Sequence, residues 1–168
     1  WNFNFGLNDA AKPTLNGLEI GYPDKMLSLH RNGFVEGVFT SERRLIRMVA
    51  MTRDGATGER AVYIGLALIE SVFSFFKKLR AISEQIGYAG PYRIEFCLFN
   101  ARGIGLHPHR DNSWSHETVF YADDHIEIGP IIYDELVPEK LAKVIGDRIW
   151  QAYGFEHEPY LVGGIFTP

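Results

Sequence analysis

The sequence predicts an α+β fold, a largely antiparallel sheet with two amphipathic helices packed on one face. Three observations lead there. The N-terminal half is a succession of short runs with a period of two, separated by turn residues. The period changes to a helical one from Ala61 to Ile86, and again from about Pro138 to Tyr153. Apolar runs too short for helices lie between those two segments.

The elements follow in order. In "WNFNFGL" Trp1, Phe3 and Phe5 alternate with Asn2 and Asn4, which predicts a strand. "LEIGY" predicts a second, ended by Pro23 and Asp24. "MLSLHRNGFVEGVFT" holds Asn32-Gly33 between two strand-like runs, and both residues tolerate positive φ, so a type I′ hairpin is expected. "RLIRMVAM" reads as a strand entering the turn "TRDGATGER", with a helical turn after Ser41 as the alternative.

The first helix has an expected stripe of Val62, Leu66, Ile69, Phe73, Phe76, Leu79 and Ile86, with Phe73 and Phe76 buried. Gly87 suits its C-terminus, and Gly90-Pro91 blocks continuation. "YRIEFCLFN" is apolar on almost every residue after Arg93 except Glu95, which places it in the middle of the sheet. "HIEIGPIIY" is a strand whose Gly129-Pro130 suggests an edge or a bulge. Pro138 suits the first turn of the second helix, Leu141, Val144, Ile145, Ile149, Ala152 and Tyr153 form its buried face, and Gly154 caps it.

The 168 residues suit one domain, residues 1–168. Hydrophobic residues at 46% support a core without staples. A net charge of −4 argues against autonomous grip on a nucleic-acid backbone. The single cysteine, Cys97, lies in an apolar run and reads as a buried small hydrophobe. No signal peptide and no run of about 18 uncharged apolar residues is present, so a cytoplasmic protein without a membrane span is expected. The start at Trp1 and the end in "VGGIFTP" suggest a fragment of a longer protein.

Chemistry could concentrate in "GLHPHRDNSWSHE", residues 105–117. His107, His109 and Asp111 occupy alternating positions, so in an extended chain all three point to one side and could meet one metal ion, with His116 nearby. Zinc accepts such a nitrogen and oxygen set, and iron binds two histidines with one carboxylate. Glu117 or Asp124 could then serve as a general base beside a metal-bound water. The competing reading is a solvated loop with surface histidines, since short motifs match by chance often.

Asp123, Asp124, His125 and Glu127 could complete such a site or form a charged turn. Arg43, Arg44, Arg47 and Arg53 could meet phosphate, but Glu42, Asp54 and Glu59 dilute them. Gly103 and Gly105 follow a strand without opening a helix, so no dinucleotide fingerprint exists. Trp114, Phe120 and Tyr121 sit in a polar stretch and, with Trp1, Phe3 and Phe5, are candidates for an interface.

The run "IGLALIESVFSFFKKLRAISEQIGYAGPYRIEFCLFNARGIGL" and the earlier "MLSLHRNGFVEG" resemble a region of bacterial proteins that carry a Schlafen-type AlbA-like DNA-binding domain. The resemblance covers residues 26 to 106 and rests on pattern and spacing; the AlbA-like module itself is not visible. It implies a non-catalytic accessory C-terminal domain, acting in ligand sensing or assembly, with no cofactor. Its implied partners are other domains of the parent chain. The acidic charge and the lack of a long apolar run argue separately against nucleic acid and membrane as partners, and the aromatic Trp1–Phe5 edge strand suggests a monomer or a weak homodimer through that strand. The alternative is a metal-dependent enzyme centred on the histidine loop.

Overall fold

The N-terminal sheet is built by short connections between neighbouring runs. In the computed structural model, which describes residues 12–22, 25–39, 45–51, 57–107, 119–163 and 165–166, strands β1 (Lys12–Thr14), β2 (Gly17–Tyr22), β3 (Lys25–His30) and β4 (Val35–Phe39) form an antiparallel meander in that order. The Trp1–Phe5 strand expectation lies outside the described residues.

The β3–β4 hairpin forms where expected, but not with the two-residue type I′ turn. His30 N–H donates to the Phe34 carbonyl at 2.8 Å, and Gly33 N–H donates to the His30 carbonyl at 3.0 Å. Only Gly33 takes positive φ, at 85°, so the loop has three residues with a left-handed glycine last. Asn32 Oδ1 accepts the Phe34 N–H at 3.1 Å, a side-chain turn that replaces the left-handed Asn a type I′ turn needs.

Strands β5 (Leu45–Met51) and β6 (Thr57–Ile64) pair antiparallel. β6 also pairs parallel with β8 (Gly105–His107), which pairs antiparallel with β9 (Val119–Phe120). The helix expected from Ala61 therefore starts later: α1 spans Gly65–Ile86, and Val62 belongs to β6. Val62-Tyr63-Ile64 is β-branched and aromatic, gains hydrogen-bonded neighbours on both sides, and buries Val62 and Tyr63 fully.

The buried face of α1 is also turned from the expected stripe. Ala67, Leu68, Ile69, Val72 and Phe76 are buried, Phe73 and Leu79 are half-buried, and Ile86 is exposed. Two neighbours cause this. α2 covers one side of α1, while Leu27 of the meander, flanked by Ile20, Val35 and Phe39, meets Phe75 and Ile82 on another. Gly87, at φ 69°, ends the helix as expected.

β7 (Tyr92–Phe99) and β10 (His125–Tyr133) form a two-stranded antiparallel ladder. The central placement expected for β7 is corrected: among the described residues it pairs with β10 alone. Its burial alternates. Ile94 and Leu98 face the core with Ile126 and Ile128, whereas Arg93, Glu95 and Phe99 face out. The apolar run misled because Phe99 is exposed and Cys97 only half-buried. The register shifts between Ile128 and Ile131, so Gly129-Pro130 marks the bulge expected there.

α2 (Pro138–Ala152) buries Leu141, Ala142, Ile145, Ile149 and Trp150, and Tyr153 caps it. The short hairpin β11 (Leu161–Val162) and β12 (Ile165–Phe166) follows. The class is thus α+β with antiparallel-dominated sheets, and both helices share one core with β7, β10, Tyr63 and Leu106. Among the described residues the strands fall into four separately hydrogen-bonded sheets. Among the described residues no helix is long and apolar enough to cross a membrane.

Full burial of Phe76 beside half-burial of Phe73 gives a graded expectation. Phe76→Ala should cost about 3–5 kcal/mol of unfolding free energy, Phe73→Ala distinctly less, and Lys77→Ala on the exposed side little. Urea denaturation measures all three, and equal losses for Phe76→Ala and Lys77→Ala would refute the helix phase.

Candidate functional site

Two parallel strands end side by side, with Ile64 of β6 opposite His107 of β8. The crevice at the carboxyl ends of parallel strands is where α/β folds place ligands, because loops and helix N-termini converge there. α1 starts at once after Ile64, with no side-chain cap and no acidic residue in its first turn. Its N-terminal dipole is left to other partners. A Cβ on Gly65 would lie 2.7 Å from the His107 carbonyl oxygen and 2.7 Å from Trp150 Cζ2. Glycine is what lets the helix begin directly against β8 and α2.

His107 is half-buried and is the last residue of β8. Of the four expected ligands it is the only one the described residues include; His109, Asp111 and His116 lie outside them, as do Glu117, Trp114, Arg43, Arg44 and Arg53. Among the described residues, no three His, Cys, Asp or Glu side chains are grouped so as to hold a metal ion.

One residue back, Tyr63 is paired with Leu106, and both are fully buried. Tyr153, also fully buried, packs its ring 5.5 Å from that of Tyr121. Tyr121 is held by its backbone: its N–H donates to Ile104 at 3.2 Å, and its carbonyl accepts from Gly103 at 2.9 Å. Tyr121, expected as an interface aromatic, therefore folds onto the core, and Phe120 is half-buried. Among the described residues the Tyr153 hydroxyl has no hydrogen-bond partner. Burial, followed by the neighbouring Tyr63 and Tyr121 phenols, holds the Tyr153 phenol well above the ordinary tyrosine range. This tyrosine group was hidden in the sequence because Tyr63 read as helix and Tyr153 as plain core.

The acidic cluster is engaged elsewhere. Asp124 pairs with Arg102 at 2.9 Å, and His125 lies 3.4 Å from Glu127, all on the exposed side. His157 is exposed, 4.0 Å from Glu156. Cys97 carries a thiol pushed up by partial burial and by Glu127.

A buried carboxylate that the sequence did not signal sits behind α2. Glu158 is 1% exposed. It accepts the Tyr160 N–H at 2.6 Å and the Leu161 N–H at 3.2 Å, and lies 3.3 Å from Lys143 Nζ. Lys143 also reaches Asp147 at 2.6 Å, and Asp147 accepts the Glu158 N–H at 2.9 Å. Only the i,i+4 spacing of Lys143 and Asp147 was legible. The network ties the segment after α2 back onto the helix.

Two outcomes follow. Glu158→Ala should cost roughly 3 kcal/mol or more, because it strands two buried amides and a lysine partner, with Glu158→Gln intermediate by urea denaturation. Tyr153 keeps its proton in the native state while the unfolded chain releases it, so stability should fall as pH rises past about 10. Tyr153→Phe should flatten that fall and leave neutral-pH stability unchanged or higher. Denaturation midpoints on both sides of that pH test it, and identical slopes for the two proteins would refute it.

Comparison of the chain with family models, with curated proteins and with solved structures finds no match in any of the three.

Proposed function

We propose that this chain is a non-catalytic accessory domain, acting in ligand sensing or assembly. Its parent would be a cytoplasmic bacterial DNA-binding or regulatory protein carrying an AlbA-like module. The observation that supports the reading most is the engagement of the ionisable clusters. Asp124 is held by Arg102, His125 lies against Glu127, and Glu158 serves backbone amides and Lys143. The buried Glu158 is committed to holding structure, and the two exposed pairs are of the kind found on ordinary surfaces, which favours a structural over a catalytic role. Other domains of the parent chain and a weak homodimer are the partners in this reading, and a chain of net charge −4 leaves DNA contact to the parent.

A second reading, a metal-dependent enzyme using zinc or iron on His107, His109, Asp111 and His116, draws on one observation: His107 stands at the carboxyl end of the parallel pair. Elemental analysis separates the two. The accessory-domain reading expects less than about a tenth of an equivalent of zinc, iron, nickel or manganese, and no thermal shift on chelation. Stoichiometric metal, or turnover of phosphoester, peptide or nucleotide substrates by dialysed protein with divalent metal added, would overturn it.

A further inference from the structure

Two hairpin tips meet at one end of the N-terminal meander. The Asn16 carbonyl accepts the Arg31 N–H at 2.8 Å, which ties the β1–β2 turn to the β3–β4 turn. At this junction lies a cleft of about 260 Å³ lined by Leu15, Asn16, His30, Arg31 and Asn32. Its polar side chains are rich in donors. The Asn32 carbonyl oxygen is committed to the Phe34 amide, so its NH₂ group is left to donate. Arg31 is exposed and, among the described residues, pairs with no carboxylate, whereas Arg80, Arg93 and Arg102 hold Glu84, Glu95 and Asp124. Glu36 engages His30 instead, at 3.8 Å.

The rim is apolar. Leu15 is 95% exposed and Phe34 56%, with the Phe34 ring 5.2 Å from that of His30. Arg31, Asn16 and Asn32 all line the cleft, and a guanidinium together with side-chain amides suits the planar fork of a carboxylate or the oxygens of a phosphate. The volume falls just below the usual range for whole small molecules, so it suits one such group on a larger or very small ligand.

We propose that the cleft between the β1–β2 and β3–β4 tips binds a carboxylate or phosphate group, with Arg31 as its principal contact, Asn16 and Asn32 as donors, and Leu15 against an apolar neighbour of that group. The inference goes beyond the accessory-domain reading and does not rest on it.

The test is a ¹⁵N–¹H NMR titration of the full chain with sodium acetate and, separately, inorganic phosphate, at ionic strength held constant with chloride. Saturable shifts confined to residues 15–17 and 30–34, the side-chain amides of Asn16 and Asn32 and Nε of Arg31 are expected with at least one anion. Saturation by acetate alone assigns a carboxylate ligand, and by phosphate alone a phosphorylated one. Arg31→Ala should weaken binding about tenfold or more, as the loss of a charged hydrogen-bonding partner does. Arg31→Lys should fall between, since it keeps the charge without the fork. Unchanged resonances elsewhere show that each variant is folded, and Asn16→Ala, with a smaller loss, serves if Arg31→Ala is not. Shifts that grow linearly with both anions, spread over the surface, or persist at unchanged affinity without Arg31 would overturn the proposal.

Discussion

The close crossing of α1 and α2 is the constraint on which the rest of the molecule depends. Gly65 lies against Trp150, and Ile69 reaches into the space at Gly146, where a Cβ would sit 2.6 Å from Ile69 Cδ1. These two contacts, four residues apart on each helix, run the helices antiparallel and leave no room for a side chain at either glycine. The first fixes where β6 ends, and so where His107 stands. The second holds the Glu158 segment, since a Cβ on Gly146 would also lie 2.7 Å from Glu158 Cγ. Strand end, helix start and the chain's last turn onto α2 are thus set by one packing interface.

Buried polarity is handled in two opposite ways around that interface. Glu158 is surrounded by donors, so a charge in the interior replaces a missing stretch of backbone pairing. Tyr153 is the reverse case, a phenol whose ring contributes packing while its hydroxyl finds no partner among the described residues. Apolar contact of the ring outweighs the desolvation of one hydroxyl, of order 1–3 kcal/mol.

Much of the fold was legible where the signal is local. Asn32-Gly33, Gly87, Gly129-Pro130 and Pro138 mark a turn, a cap, a bulge and a helix start through local backbone preference, helped at Asn32 by its side-chain hydrogen bond, and each acts within a few residues. What failed depends on distant neighbours. Val62 fits a helical stripe, and Tyr63 the helix around it, until β8 arrives, from more than forty residues on, to pair with them. The α1 face was misphased because two separate surfaces cover it, and one period cannot encode two. β7 looked central because apolar content does not distinguish a strand buried on both faces from one with Phe99 in solvent. Of the candidate site, His107 was legible as a residue type, but its place beside the start of α1 follows from the β6–β8 pairing, and the tyrosines behind it carry no motif at all.

The pairing of β8 with β9 has a consequence for how such a domain can diversify. Gly105 faces Phe120 and Leu106 faces Val119, so the connection between them departs from and returns to adjacent, hydrogen-bonded positions. The scaffold contributes both anchor points whatever the connection contains. Lengthening a closed segment is inexpensive in entropy, about 0.6 kcal/mol for each doubling. Extra length between these anchors therefore costs little closure entropy, so the β8–β9 connection is a place where the chain can gain residues, and with them new chemistry, one segment at a time.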